Sequence, residues 1–315
     1  MRRLLIVAMV MVCLALPVRG AGLAGYLPAN MDVTYQLLHV DSQPAWQEIL
    51  NLYRDKLANQ NDPNMLLLSY IFKQFKFREI AGGYNRAAQQ NNNVLLVQPQ
   101  LSGPGEQFNR FLIDNLGSFV AIDQNWHQTA EGEAKIYFDI RGEANEKLTS
   151  FNVANDQVIL ASNSALVKKC LAAGEKQANI ESQSWYKALR DKALANYDGV
   201  GGINNRNRNF TAELKKWEKN NNLVVLMSSD WIDALGLSFR FLSDDRIQGR
   251  LLFQCSEPGK VALVKSDAEF LGEVAKRRYS ASQLGIKSKV TVNGNVVILD
   301  FEAVNWRPIL EKELK

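Results

Sequence analysis

The clearest amphipathic pattern begins at Pro44, where Trp46, Ile49, Leu50, Tyr53 and Leu57 recur at the i, i+3, i+4, i+7 and i+11 spacing of one helical stripe. Ahead of it, residues 33–40 are rich in β-branched and aromatic side chains and sit between Asp32 and Asp41, so they read as a strand. A second helix is expected over 63–80, its 66–77 segment apolar nearly all round. Then follow a short strand at 94–97 and a helix at 104–116 carrying Phe108, Phe111, Leu112 and Leu116. The alternation of Lys135, Ile136, Tyr137 and Phe138 marks a strand at 134–140. Residues 151–153 and 158–161 form a hairpin, and a helix capped from Ser162–Ser164 should run to Leu171 and stop at Gly174.

Beyond 178, Ser184 opens a helix expected to reach Tyr197, with Trp185, Leu189 and Ala193 on its apolar side. Asp198, Gly199, Gly201 and Gly202 then read as a turn. A charged helix over 212–219, a strand over 223–227, a hairpin of 237–242 with 247–254, and a helix over 261–278 follow. Lys276, Arg277 and Arg278 complement the negative end of that last helix. The strongest turn signal is Asn293-Gly294 between strands at 290–292 and 296–301, and a short helix from Pro308 closes the chain.

Residues 151–160 and 290–299 are alike, each a hairpin of valine, isoleucine and leucine followed by a short helix. This suggests an internal duplication with its boundary near Gly174 and Glu175. The expected fold class is α+β: two related modules, 26–174 and 178–315, each an antiparallel sheet with helices packed on one face.

The first residues carry Arg2 and Arg3, an apolar run from Leu4 to Leu16, then Pro17 and the small residues Gly20, Ala21 and Gly22. That is the layout of a cleaved secretory leader, residues 1–20. The run is shorter than the roughly 20 residues a membrane anchor needs, and Arg19 follows close behind. Cleavage is expected after Gly20, with Ala24 as a second possible end. Cys13 follows Met11 and Val12 rather than the small residues that lipid modification requires.

Arg2, Arg3 and Arg19 supply all but one of the net positive charges, so the mature chain is close to neutral and its basic pI implies no nucleic-acid partner. The loop carrying Arg206, Arg208, Lys215, Lys216 and Lys219 is diluted by Glu213 and Glu218 and reads as a solvated face. The 66–77 segment reads as core, with contact to a membrane or a protein partner as its alternative. Cys170 and Cys255 could pair in an oxidising compartment or serve as small buried residues.

Chemical templates find little support. Of the two histidines, neither His39 nor His127 has a metal-ligand neighbour in the sequence, and no metal or cofactor is expected. A Gly-x-Ser-x-Gly elbow is missing, leaving His127 with a distant aspartate as the only route to a triad. Ser184-Trp185-Tyr186-Lys187 has the spacing of a Ser-x-x-Lys pair, which makes Ser184 and Lys187 the candidate nucleophile and base of an envelope serine hydrolase. Helix capping by Ser184 and solvation of Lys187 account for the same residues. Gly199, Gly201 and Gly202 lack a phosphate-loop spacing, and Asp244 with Asp245 read as hairpin-turn residues.

The leader, the start at Leu27-Pro28-Ala29, and the order of hairpin, Ser162, Ser184-Trp185 and the 198–202 glycines resemble an uncharacterised family of exported bacterial proteins with a tandem α+β domain of unknown function. The resemblance implies periplasmic or envelope residence and no known catalytic residue. Together these readings predict an exported, non-catalytic protein with a binding or scaffolding role and no catalytic, cofactor-binding or metal-ligating residues. The hydrolase built on Ser184 and Lys187 stands as the alternative.

Overall fold

The computed structural model describes residues 23–58, 76–85, 92–100, 106–120, 125–140, 150–154, 157–176, 179–220, 226–280 and 285–308. In chain order the strands are β1 (Val33–Leu37), β2 (Phe77–Asn85), β3 (Asn92–Pro99), β4 (Trp126–Glu131), β5 (Ala134–Asp139), β6 (Ser150–Ala154) and β7 (Gln157–Ala161). After these come β8 (Gly199–Asn204), β9 (Ile232–Ser243), β10 (Arg246–Cys255), β11 (Gly285–Asn293) and β12 (Val296–Val304). They form one sheet in the order β11-β12-β10-β9-β8-β1-β2-β3-β7-β6-β5-β4. Its neighbours pair antiparallel throughout, and the strands of the N-terminal and C-terminal halves of the chain meet where Val33–Leu37 lies beside residues 199–203.

The helices are α1 (Pro44–Ala58), α2 (Glu106–Val120), α3 (Ser164–Lys176), α4 (Ser184–Arg190), α5 (Asn209–Asn220) and α6 (Val261–Ser280). They cover both faces of the sheet, which corrects the expectation of helices on one face only. Strand parity shows this. Leu237, Phe239 and Phe241 of β9 point to the front, where Trp46 of α1 lies 5.9 Å from the Phe239 ring and edge-on to Phe241 at 5.2 Å. Gly236, of opposite parity, points to the back, where a Cβ would stand 3.1 Å from Leu189 of α4. The physical cause is legible in β12, whose consecutive Val296, Val297, Ile298 and Leu299 are all buried, as strands require when covered on both sides.

On the back face Leu166, Val167 and Cys170 of α3 join Leu96, Ile159 and Ala161 of the sheet in one core, together with Trp185 and Leu189 of α4. Leu23, Ala24 and Leu27, from a 3₁₀ turn at Leu23–Tyr26 and its exit, complete it. On the front, α6 contributes Val264 and Ala268 to a core with Phe253, Val297 and Leu299, while Ile113 of α2 packs with Val97 and Val158.

The expected stripe at Pro44, both C-terminal hairpins and the 261–278 helix form as elements, with Gly294 in the left-handed turn conformation at φ 62°. Other expectations are corrected. The 198–202 turn is strand β8, because its glycines sit at the middle of the sheet where helices press close: a Cβ on Gly202 would fall 2.8 Å from the Trp185 ring. Gly174 does not stop α3, which runs on to Lys176, since the missing side chain makes room for the Tyr26 ring. The helix expected over 63–80 lies mostly outside the described residues, and its last part, 77–80, is strand β2. The helix from Ser184 ends at Arg190 rather than Tyr197. The 223–227 strand is partly outside the described residues, and Leu226 and Met227 are not in a strand. The leader and most of the last helix also lie outside them.

Candidate interaction surface

Four buried polar side chains, each with a fixed task, show how the body is closed. Asn109 of α2, fully buried, accepts from the Lys76 amide and donates to the carbonyls of Lys76 and Gln100, tying off the ends of β2 and β3. Asp267 of α6 accepts from the backbone and hydroxyl of Ser228 at 2.7 and 2.6 Å. Asp198 accepts from the Phe241 amide at 2.8 Å and from Gln43 at 3.1 Å, with His39 Nδ1 3.7 Å away. Glu79 of β2 accepts from Gln36 at 2.7 Å and from the Leu23 amide at 2.8 Å. Burial raises the Glu79 carboxyl above its ordinary range despite these donors.

His39 is thus the histidine that meets an aspartate, and its backbone is left-handed at φ 53°. His127, the sequence-level candidate, stacks on Phe138 with ring centroids 5.9 Å apart. Asp198 clasps the β1–α1 turn, through Gln43 and His39, to β9 through the Phe241 amide. Nothing in the sequence marked Asp198 as the partner of His39, because they are brought together only by the β1–β8 pairing.

Ser184 is the first residue of α4, not its cap, and its exposed hydroxyl accepts a long 3.4 Å contact from Arg206. Lys187 is exposed on the outer side of the same helix. Part of the basic loop is spent on local pairing: Arg208 bonds Asp233 at 2.9 Å and the Ile232 carbonyl at 2.7 Å, and Lys215 pairs with Asp230. Cys170 and Cys255 are free thiols buried in different cores, and burial pushes them up to about 12 and about 11, so neither is a thiolate nucleophile near neutral pH. Among the described residues no group of His, Cys, Asp and Glu is placed to hold a metal ion. No helix among them is long and apolar enough to cross a membrane.

What the structure does bring together is an apolar stripe on α6. Leu263, Phe270 and Val274 are exposed, the last two at i+7 and i+11 from the first, on the flank that also carries Asp267 at i+4. Asp267 anchors Ser228, and the adjoining Met227 is the most exposed large apolar residue described, at 68%. Phe270 is 55% exposed. The signal was present in the sequence as a second apolar stripe on one helix, beside the inward Val264, Ala268 and Leu271. Behind the sheet the same end is charged: Arg250 grips Asp300 through two bonds of 2.6 and 3.2 Å, and Arg246 meets Glu302 at 2.7 Å. That hydrogen bond from Arg246 lowers the Glu302 carboxyl.

Neither a scan against protein-family models nor a search of curated proteins returns a match. Among solved structures the fold is similar to TP0453 in its crystal form III, with a TM-score of 0.52, 10% identity, and 92% of this chain and 97% of that chain covered. Crystal form I of the same protein aligns with a TM-score of 0.50 and 10% identity over 93% of this chain and 97% of that one. At this identity the likeness is one of fold: helices on a large antiparallel sheet, an α+β architecture.

Proposed function

We propose that this is an exported, non-catalytic protein of the periplasm or cell envelope that binds or scaffolds a protein partner, built from two related modules, 26–174 and 178–315, fused through one sheet. The observation that carries the binding role is the α6 flank, where Met227, Leu263, Phe270 and Val274 gather into one greasy surface, four of the eight exposed large apolar residues among those described. The modular reading is supported by element order. β1-α1-β2-β3-α2 leads to the hairpin β6–β7, with β7 beside β3; β8-α5-β9-β10-α6 leads to the hairpin β11–β12, with β12 beside β10. β4 and β5 are then an insertion in the first module. Export is supported by the leader pattern, and it agrees with the sequence's resemblance to a family of exported tandem-domain proteins.

The test combines fractionation with an activity screen. The mature protein is expected outside the cytosol, inert toward a panel of esters, amides and glycosides. Hydrolysis abolished by Ser184→Ala would overturn the reading, as would Met1 still attached to protein recovered from the cell interior.

A further inference from the structure

Glu79 is 5% exposed and Leu23 3%, and the bond between them joins a carboxylate oxygen to a backbone nitrogen at 2.8 Å. The carboxylate's other donor is the neutral amide of Gln36, and no ion pair is formed at Glu79 among the described residues. A buried carboxylate ordinarily requires a full counter-charge or several donors. Immediately before Leu23 stand Gly20, Ala21 and Gly22, small residues at both the first and third positions ahead of the Gly22–Leu23 bond.

Over Leu23 to Asp32 the chain is tied into the fold. Ala24 is fully buried, and Leu27 accepts from the Ile180 amide at 2.9 Å. Tyr26 lies against Gly174, and the Asp32 carbonyl accepts from the Asn204 amide at 2.7 Å. A cut after Ala24 would remove Leu23 and Ala24 from the core and leave Glu79 with one donor.

We infer that the leader is released at the Gly22–Leu23 bond, so that the new α-ammonium of Leu23 becomes the ionic partner of the buried Glu79 carboxylate. The step is a hydrolysis by a leader-cleaving endopeptidase. Water adds across the amide, its oxygen going to the Gly22 carbonyl carbon as a carboxylate and the Leu23 nitrogen departing as an ammonium. The ammonium nitrogen occupies the place already held by the Leu23 amide, so the ion pair forms with little rearrangement, and the brace from Leu23 to Asp32, bonded to β2 and β8 at the middle of the sheet, is locked at its first residue.

This inference rests on the export reading, and the two fail differently. Intact mass and terminal sequencing of exported protein should give a chain beginning at Leu23. A chain beginning at Ala21 or Gly25 overturns the site while leaving export standing, whereas retained Met1 in the cell interior removes export itself. The ion pair is read separately on a purified chain beginning at Leu23. Nα-acetylation should lower its Tm by several degrees, and the same treatment of the Glu79→Gln variant should leave Tm unchanged. Equal Tm values with and without acetylation in the unsubstituted chain, or an equal drop in Glu79→Gln, overturn the pairing.

Discussion

The two ends of the sheet are closed to different degrees. Around β1–β7, α3 seals the back with Leu166, Val167 and Cys170, each at most 3% exposed, and α2 and α1 cover the front. Around β8–β12, the back is sealed by α4 at the β8–β9 side and gives way to paired charges on β10 and β12, while α6 in front keeps one flank bare. The same alternation of helix, strand pair and helix can therefore leave apolar residues exposed singly in one region, as at Phe111 of α2 and Ile140, and line them up along one helix in the other. What differs is a second stripe on a single helix, not a different architecture.

The largest effect should come where the regions meet. Trp185 is 2% exposed and lies over Gly202 of β8, so Trp185→Ala should cost about 3–5 kcal/mol and lower the urea midpoint, with both ends of the sheet unfolding in one transition. Two separate transitions by tryptophan fluorescence and far-UV circular dichroism would break the idea of a shared sheet core. Next, Gly82→Ala would place a Cβ 2.4 Å from the Tyr35 ring and 2.7 Å from the Val94 carbonyl oxygen, and should destabilise by about 1–3 kcal/mol.

A smaller, pH-dependent effect is expected at Glu79. While Leu23 nitrogen is an amide, the folded carboxyl titrates above its unfolded value, so its contribution is present at acid pH and is lost as pH rises through the folded pKa. Glu79→Gln should remove that loss, so in a chain that begins before Leu23 the variant gains on the parent between pH 4 and 8 as judged by urea unfolding. An advantage that shrinks with rising pH would contradict the sign. Smallest of all, Phe270→Ser should change stability by less than about 0.5 kcal/mol, because the side chain is already largely in water. A cost like that of a core residue would show that the α6 flank is covered in the folded protein and would erase the contrast between the two regions.

The parts of the fold legible beforehand were those set by local rules. The stripe at Trp46, Ile49 and Leu50, the Asn293-Gly294 hairpin and the 151–161 hairpin all carry their instructions within a few residues. The misreadings involve glycine used for tertiary reasons. Gly199, Gly201 and Gly202 look like a turn until Tyr35, Trp185 and Leu189 are placed around them, and the strand at 77–85 is disguised by Gly82 and Gly83 for the same reason. β4 gives no signal because all six of its residues, Trp126 to Glu131, are exposed or half-covered at the sheet's edge, with no buried stripe to declare it. Ser184 and Lys187 were legible as a pattern, yet a spacing of three on a helix says nothing about what opposes the hydroxyl, and here it is Arg206.

The fit of Tyr26 onto Gly174 has a consequence for tracing relatives. A Cβ at 174 would stand 2.3 Å from the tyrosine ring, so the two positions cannot drift independently. Remote kin too divergent for ordinary alignment should therefore display the aromatic and the glycine as a linked couple, and where a larger residue replaces the glycine, the ring should shrink in the same lineage.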